Sequence, residues 1–300
     1  MSWLHRLKLL VADPPPELVF EVSAQGIAWA RTREPRAEWA PLAPGVVEVS
    51  PLESNIRQPE AFAAAVRAVA GNGEARGRRR RAALILPDYC ARVAVLDFDS
   101  FPAAPEEQQQ LVRFRVKRAV PFDIDNAVVA CYPQPRQDGT KRVDVVTAVV
   151  NMDVASHYET PFRAAGLHCG FVTLSALAAL ALEPAEDLSG ANPRVFVKLS
   201  GDALAVSLID GGALRLFRCV RIGGEALEEA TAVLATTLAY AEDELGARVQ
   251  AMEVCGPGQD WAGRWREEFG VPVCGVRSRF GAPAQVNAGL YGYLESLEVA

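Results

Sequence analysis

No stretch of this chain approaches the ~18 consecutive apolar residues that a bilayer-crossing helix requires, although half of its 300 residues are hydrophobic. It also lacks any C-x-x-C pair. Its six cysteines stand apart at 90, 131, 169, 219, 255 and 274, and His5, His157 and His168 complete no zinc spacing. Scattered thiols in apolar surroundings read as small buried hydrophobes, neither a disulfide frame nor a metal site. That pattern points to a reducing compartment, the cytoplasm. Net positive charge is absent too. At −6 overall the chain repels phosphate backbones, so no nucleic-acid partner is expected. The first residues lack a small-residue cleavage site and stop at Asp13-Pro14-Pro15-Pro16, so they do not read as a signal peptide. Met1 to Val11 mixes Trp3, Leu4, Leu7, Leu9 and Leu10 with His5, Arg6 and Lys8. Two readings stay open for it: an amphipathic segment on a membrane or partner, or a helix packed on its own domain, which is favoured.

What is present is an alternation of strands and helices with real cores. The first strand, Leu18-Val19-Phe20-Glu21-Val22, meets a turn of small residues, Ser23 to Gly26, and a return strand from Ile27 to Arg31; this is a hairpin. The residues from Glu34 to Pro51, rich in proline, read as irregular. Pro59 opens a helix, with Phe62, Ala65, Val66 and Val69 on one face, that ends at Gly71. Arg78 to Arg81 lead into a buried strand, Ala82 to Leu86. They read as the solvated start of that strand, with contact to anionic lipid as the functional alternative.

Strands over 91–98, 127–132 and 143–150 surround a helix from Ala104 to Val120. Acidic residues at its start and basic ones toward its end suit the helix dipole. These elements form a small α+β unit, residues 93–154. Further on, helices are expected over 154–165 and 174–182, with a short strand at 169–173 between them and a linker over 183–192. Then the opening pattern returns. Arg194 to Leu199 is a strand, Ser200-Gly201-Asp202 a turn, and Ala203 to Leu208 a return strand. Each half of the chain thus opens on strand, small turn, strand, which suggests two lobes on one plan. A third strand (213–220), a long amphipathic helix (225–245), a strand (249–254), a glycine turn, a helix to Phe269 and a strand (271–276) complete the reading.

This order resembles the PilM family, itself similar to FtsA and the actin-like ATPases. The resemblance rests on Leu86-Pro87-Asp88, Arg92-Val93, Leu96-Asp97-Phe98, the run Leu111 to Asp123 with its basic helix ending in Pro121-Phe122, Ala164-Ala165-Gly166-Leu167, and Arg221-Ile222-Gly223-Gly224. It spans about residues 17–280. It implies an α/β protein with the two-lobed actin-like (ribonuclease H-like) ATPase fold and a small α+β FtsA-like inserted domain. Residues 1–92 and 155–190 would form the first lobe, 93–154 the insertion, and 191–300 the second lobe.

The resemblance also implies ATP in the cleft, held by two Asp-x-Gly hairpins that organise Mg²⁺ and phosphate. Here the corresponding positions are Glu21, Ser23, Gln25 and Gly26 in the first hairpin and Lys198, Ser200 and Gly201 in the second, with Gly256 and Gly258 at the adenosine turn. A glycine has become Ser23, and a carboxylate has become Lys198, which as an ammonium cannot ligate Mg²⁺. Hydrolysis is therefore not expected and no catalytic residue is assigned, while ATP binding without turnover stays open. The function implied is a scaffold, cytoplasmic and peripheral at the inner membrane, in a type IV pilus or type II secretion-like assembly platform. Its partner would be a short N-terminal peptide of a PilN-like membrane protein. Candidate contacts are Arg113, Arg115, Lys117, Arg118 and Phe122; the bland alternative is an ordinary solvated helix end. A homo-oligomer stays open. The alternative function is a working actin-like ATPase or sugar-kinase-like enzyme.

Overall fold

The computed structural model describes residues 15–71, 80–136, 141–188 and 190–299. The N-terminal segment before Pro15, residues 72–79 with Arg78 and Arg79, and the turn around Asp138 lie outside the described residues. In chain order the elements are β1 (Leu18–Ser23), β2 (Gly26–Arg31), β3 (Glu34–Pro41), α1 (Pro59–Ala70), β4 (Arg80–Leu86) and β5 (Ala91–Phe98). Next come α2 (Pro105–Val116), β6 (Ala127–Pro135), β7 (Val143–Asn151), α3 (Met152–Ala164), β8 (Leu167–Leu174) and α4 (Ser175–Ala179). The remainder is β9 (Glu183–Pro184), β10 (Arg194–Ser200), β11 (Ala203–Asp210), β12 (Ala213–Arg221), α5 (Ala226–Leu245), β13 (Ala251–Cys255), α6 (Gln259–Phe269), β14 (Val273–Arg277) and α7 (Ala288–Val299).

Two large sheets repeat one plan. The first runs β3-β2-β1-β4-β8 and the second β12-β11-β10-β13-β14-β9. In each, three antiparallel strands lead to a parallel pairing, β1 with β4 and β10 with β13, and a further parallel strand follows. Central strands covered on both faces must be apolar throughout, and Leu18, Val19, Phe20, Glu21 and Val22 are all buried, as are Val195 to Leu199. Within these two stretches the exceptions to apolarity are Glu21 and Lys198. A third sheet, β5-β7-β6, carries α2 over its own core of Phe98, Val112, Val116, Ile124, Val129, Val145 and Val149.

Four expectations needed correction. The proline-rich stretch contains β3, an edge strand, where prolines remove no needed ladder bond. Helix α2 stops at Val116, four residues before Val120. The Lys117 N–H still donates to the Arg113 carbonyl, but Ala119 N–H turns to Val116 O at 2.8 Å, and Arg113 draws the following chain back over the helix end. Helix α4 is only five residues long, because Ala181 and Leu182 close into tight turns on Ala178 and Ala179. The fourth correction is α7, for which no helix was expected. It packs chiefly on α4 and touches β1, β2 and β3 of the first sheet.

Two glycines that argue against a helix by propensity allow this packing. A Cβ at Gly289 would lie 2.8 Å from the Ser175 Cα, and one at Gly292 would run into the Ala178 carbonyl. Gly292→Ala is therefore expected to lose about 1–3 kcal/mol of stability by overpacking, against the gain of about 1 kcal/mol that propensity alone predicts. Urea denaturation reads the sign directly.

Candidate functional site

The β1–β2 and β10–β11 hairpins face one another. Between them lies a cavity of about 70 Å³ lined by residues that include Glu21, Ser23, Gln25, Asp88, Ser175, Ser200, Gly201 and Gln285. The structure thus brings five of the nine nucleotide candidates to the lining of one cavity: Glu21, Ser23, Gln25, Ser200 and Gly201. Lys198 sits directly behind them.

Lys198 is 1% exposed, although it carries a full charge. Its ammonium donates to Asp88 Oδ2 at 2.9 Å and to Ser200 Oγ at 2.5 Å. Asp88 follows β4 of the first sheet and is equally buried, so the ion pair crosses from one lobe to the other. Burial lowers the Lys198 pKa, but the Asp88 and Glu21 carboxylates outweigh it and hold the ammonium above the ordinary lysine value. Burial pushes the Glu21 carboxyl above its ordinary range, against the pull of Lys198, the Ser175 hydroxyl and the Leu290 N–H.

Both carboxylates also satisfy helix starts, whose first N–H groups have no partner within the helix. Asp88 Oδ1 accepts from Ala176 N–H at the start of α4, at 2.5 Å. Glu21 Oε2 accepts from Leu290 N–H in the first turn of α7, at 2.7 Å, and its other oxygen accepts from Ser175 Oγ.

The hairpin turns are occupied by their own chain. Gly201 N–H donates to Gln285 Oε1 at 3.2 Å, Gln285 Nε2 donates to the Gly256 carbonyl at 3.2 Å, and Ser200 Oγ donates to the Gln285 carbonyl at 2.7 Å. In the first hairpin, Gln25 N–H donates to Ser23 Oγ, which itself donates to the Gly26 carbonyl. Two glycines have local reasons for being glycine. A Cβ on Gly26 would meet Trp39 and the Ala40 carbonyl of β3, and one on Gly256, at φ +97°, would meet the Leu199 carbonyl. Gly258 is the N-cap of α6 and lies outside the cavity wall.

The partner candidates fall on the third sheet and divide. Arg113 is committed to structure: it donates to the carbonyls of Ile124 at 2.6 Å and Ala127 at 2.9 Å. Arg115 bonds the Asp97 carbonyl and lies over the Phe98 ring at 5.5 Å. Phe122 is half-buried against the core of the third sheet. Lys117 and Arg118 are exposed. Sequence reasoning missed Phe114, which stands on the same helix and is 79% exposed. It also missed Asp88, Ser175 and Gln285. A buried lysine calls for a carboxylate, but residues 110 positions apart share no local signal. Of the arginine run, Arg80 caps α1 at the Ala70 carbonyl and Arg81 reaches the Pro15 carbonyl.

No family profile and no curated protein matches the sequence. Solved structures do match. A chain of a PilM–PilN type IV pilus biogenesis complex aligns over 96% of this chain and 98% of its own, with a TM-score of 0.72 and 16% identity. A Bacteroides thetaiotaomicron protein of unknown function with an actin-like ATPase fold aligns over 85% and 89%, at 0.51 and 9% identity. The fold is the actin-like ATPase fold. The cytoplasmic domain of EpsL, an inner-membrane component of the type II secretion system of Vibrio cholerae, aligns over 80% and 82%, at 0.50 and 13% identity. Within this actin-like fold, the third sheet is the segment inserted between β4 and α3. No described helix is long and apolar enough to cross a membrane.

A nucleotide with Mg²⁺ does not fit the residues present. Sites for ligands of that size measure about 300–1,000 Å³, against 70 Å³ here, and Lys198 already supplies the cation beside Asp88. Lys198→Ala is expected to cost about 3–5 kcal/mol, because it leaves a buried unpaired carboxylate. Asp88→Asn/Lys198→Met should recover most of that loss, since the introduced amide oxygen can still accept from Ala176 N–H. With the Lys198 pKa raised above 10.5, the pair's contribution is complete below that pH and is lost as pH climbs through the folded-state value. Denaturant unfolding of the wild type across the alkaline range should show this decline, and the double variant should not.

Proposed function

We propose that this chain is a scaffold of an inner-membrane assembly platform of the type IV pilus or type II secretion kind. It docks a short cytoplasmic peptide of a PilN-like membrane protein and does not hydrolyse ATP. The observation that carries the reading is the likeness to the PilM–PilN complex chain over nearly the whole length of both chains. The likeness to the EpsL domain supports the wider class of platform.

The filled cleft supports the non-hydrolytic half. Metal-assisted phosphoryl transfer relies on carboxylates that position hydrated Mg²⁺ and on free backbone donors for phosphate. Here the first are paired to Lys198 and helix starts, and the Gly201 donor is taken by Gln285. Mg-ATP turnover at an ordinary ATPase rate that Glu21→Ala abolishes would restore the enzyme reading.

The peptide surface we favour is the solvent side of α2 and its C-terminal turn. Lys117, the C-cap of α2, follows Phe114 by three residues and shares its face, and the exposed Arg118 lies in the turn just beyond, so an apolar anchor has two cations near it. Arg113, with its guanidinium spent on backbone carbonyls, supports this surface from beneath. The experiment is fluorescence anisotropy with the N-terminal peptide of a PilN-like protein. Lys117→Glu/Arg118→Glu is expected to weaken binding by about tenfold or more, since setting like charges against a partner across an interface costs upward of about 1.4 kcal/mol. Equal affinities would remove this helix from the site.

A further inference from the structure

We propose that Lys198 and Gln285 take the places that a cation and an anion would take between the two hairpins, so that the lobes are held together without a ligand. The inference rests on the non-hydrolytic reading of this cleft and extends it to the regulation of the same site.

A cleft between two lobes closes when something in it bonds to both. Carboxylates on one wall and turn N–H groups on the other suit a metal and a phosphate. In this chain the Asp88 and Glu21 carboxylates and the Gly201 N–H are answered internally. The Asp88 carboxylate of the first lobe receives the Lys198 ammonium of the second. Glu21, in the same buried cluster, feels that charge as well. Gln285 is the counterpart on the acceptor side. Its amide oxygen takes the Gly201 N–H, its amide nitrogen reaches the Gly256 carbonyl, and its own carbonyl takes the Ser200 hydroxyl. One residue thereby ties the β10–β11 turn to the turn after β13.

The two devices meet at Ser200, which accepts from Lys198 and donates to Gln285. The connection then runs on through the carboxylates into α4 and α7, the helices packed on the first sheet. The result is a continuous polar chain from the second hairpin to the first lobe, with its ionic members almost completely buried. Its bonds are made by groups that are covalently part of the protein and therefore always present. Lobe closure becomes a constant property of the fold, where a nucleotide-dependent protein would open and close with its ligand.

Amide hydrogen exchange on the full-length protein tests this. The N–H groups of Ala176, Gly201 and Leu290 report on Asp88, Gln285 and Glu21 respectively. In the ligand-free protein all three should exchange slowly, and ATP with Mg²⁺ should leave their rates unchanged. Lys198→Met should speed exchange at Ala176 and Leu290 by about tenfold or more while the buried amides of α5 keep their rates. Gln285→Ala leaves the buried ion pair in place and should speed Gly201 alone, so the test stands even if Lys198→Met fails to fold. Fast exchange at these amides that Mg-ATP slows would overturn the proposal, as would unchanged rates in both variants. ATP turnover by a protein whose three amides are already protected would instead sink the non-hydrolytic reading and leave the lock standing.

Discussion

The buried ion pair between Asp88 and Lys198 joins the two lobes of this protein beside the apolar core that their sheets share. Its members come from different sheets and are each almost wholly removed from water. Taking two charges out of water is costly, and only close pairing with further hydrogen bonds offsets it. Those bonds are present: Asp88 also accepts from Ala176 N–H, and Lys198 also donates to Ser200. The pair therefore fixes more than its own two residues. It sets where α4 begins and holds the second hairpin against the loop at Gln285. With Glu21, which receives Leu290 N–H, it also helps set where the C-terminal helix lies against the first sheet.

The inserted sheet is tied down by a second charged cluster. Asp144 of β7, itself buried, accepts from Arg136 beyond β6 and from Arg215 of β12. The amide of Gln134 completes the contact by bonding both the N–H and the carbonyl of Leu214. Side chains thus imitate one rung of a ladder between sheets that do not pair. On α2, which packs on the core of this sheet, Phe114 stands exposed. The basic character of that helix end is partly structural, because Arg113 and Arg115 are engaged with the backbone.

Local patterns made much of this legible. Apolar strands joined by turns of small residues located both hairpins. Helical spacing located α1 and α5, and the return of the opening motif matched the repeated strand order of the two large sheets. The reading of residues 21 and 198 as departures from an Asp-x-Gly pair falls on two charged residues that the structure buries in one cluster. It missed what stands there, because Asp88, Ser175 and Gln285 are polar residues in ordinary local contexts. The C-terminal helix was missed for a related reason. Gly289 and Gly292 lower helix propensity, and only the close approach of α4 makes them favourable.

The amino-acid sequence by itself determined the order of the strands and helices other than β3, β9 and α7, the two-lobed plan and the presence of a cation where a carboxylate is expected. Periodicity, turn chemistry and residue charge act over a few neighbouring positions and are written directly in the chain. Tertiary structure alone decided that the Lys198 ammonium meets Asp88 rather than an open cleft, that Gln285 fills the second turn, and that Arg113 faces inward. Those outcomes depend on groups brought together from positions 85 or more residues apart, or on which way a side chain turns once its helix is packed.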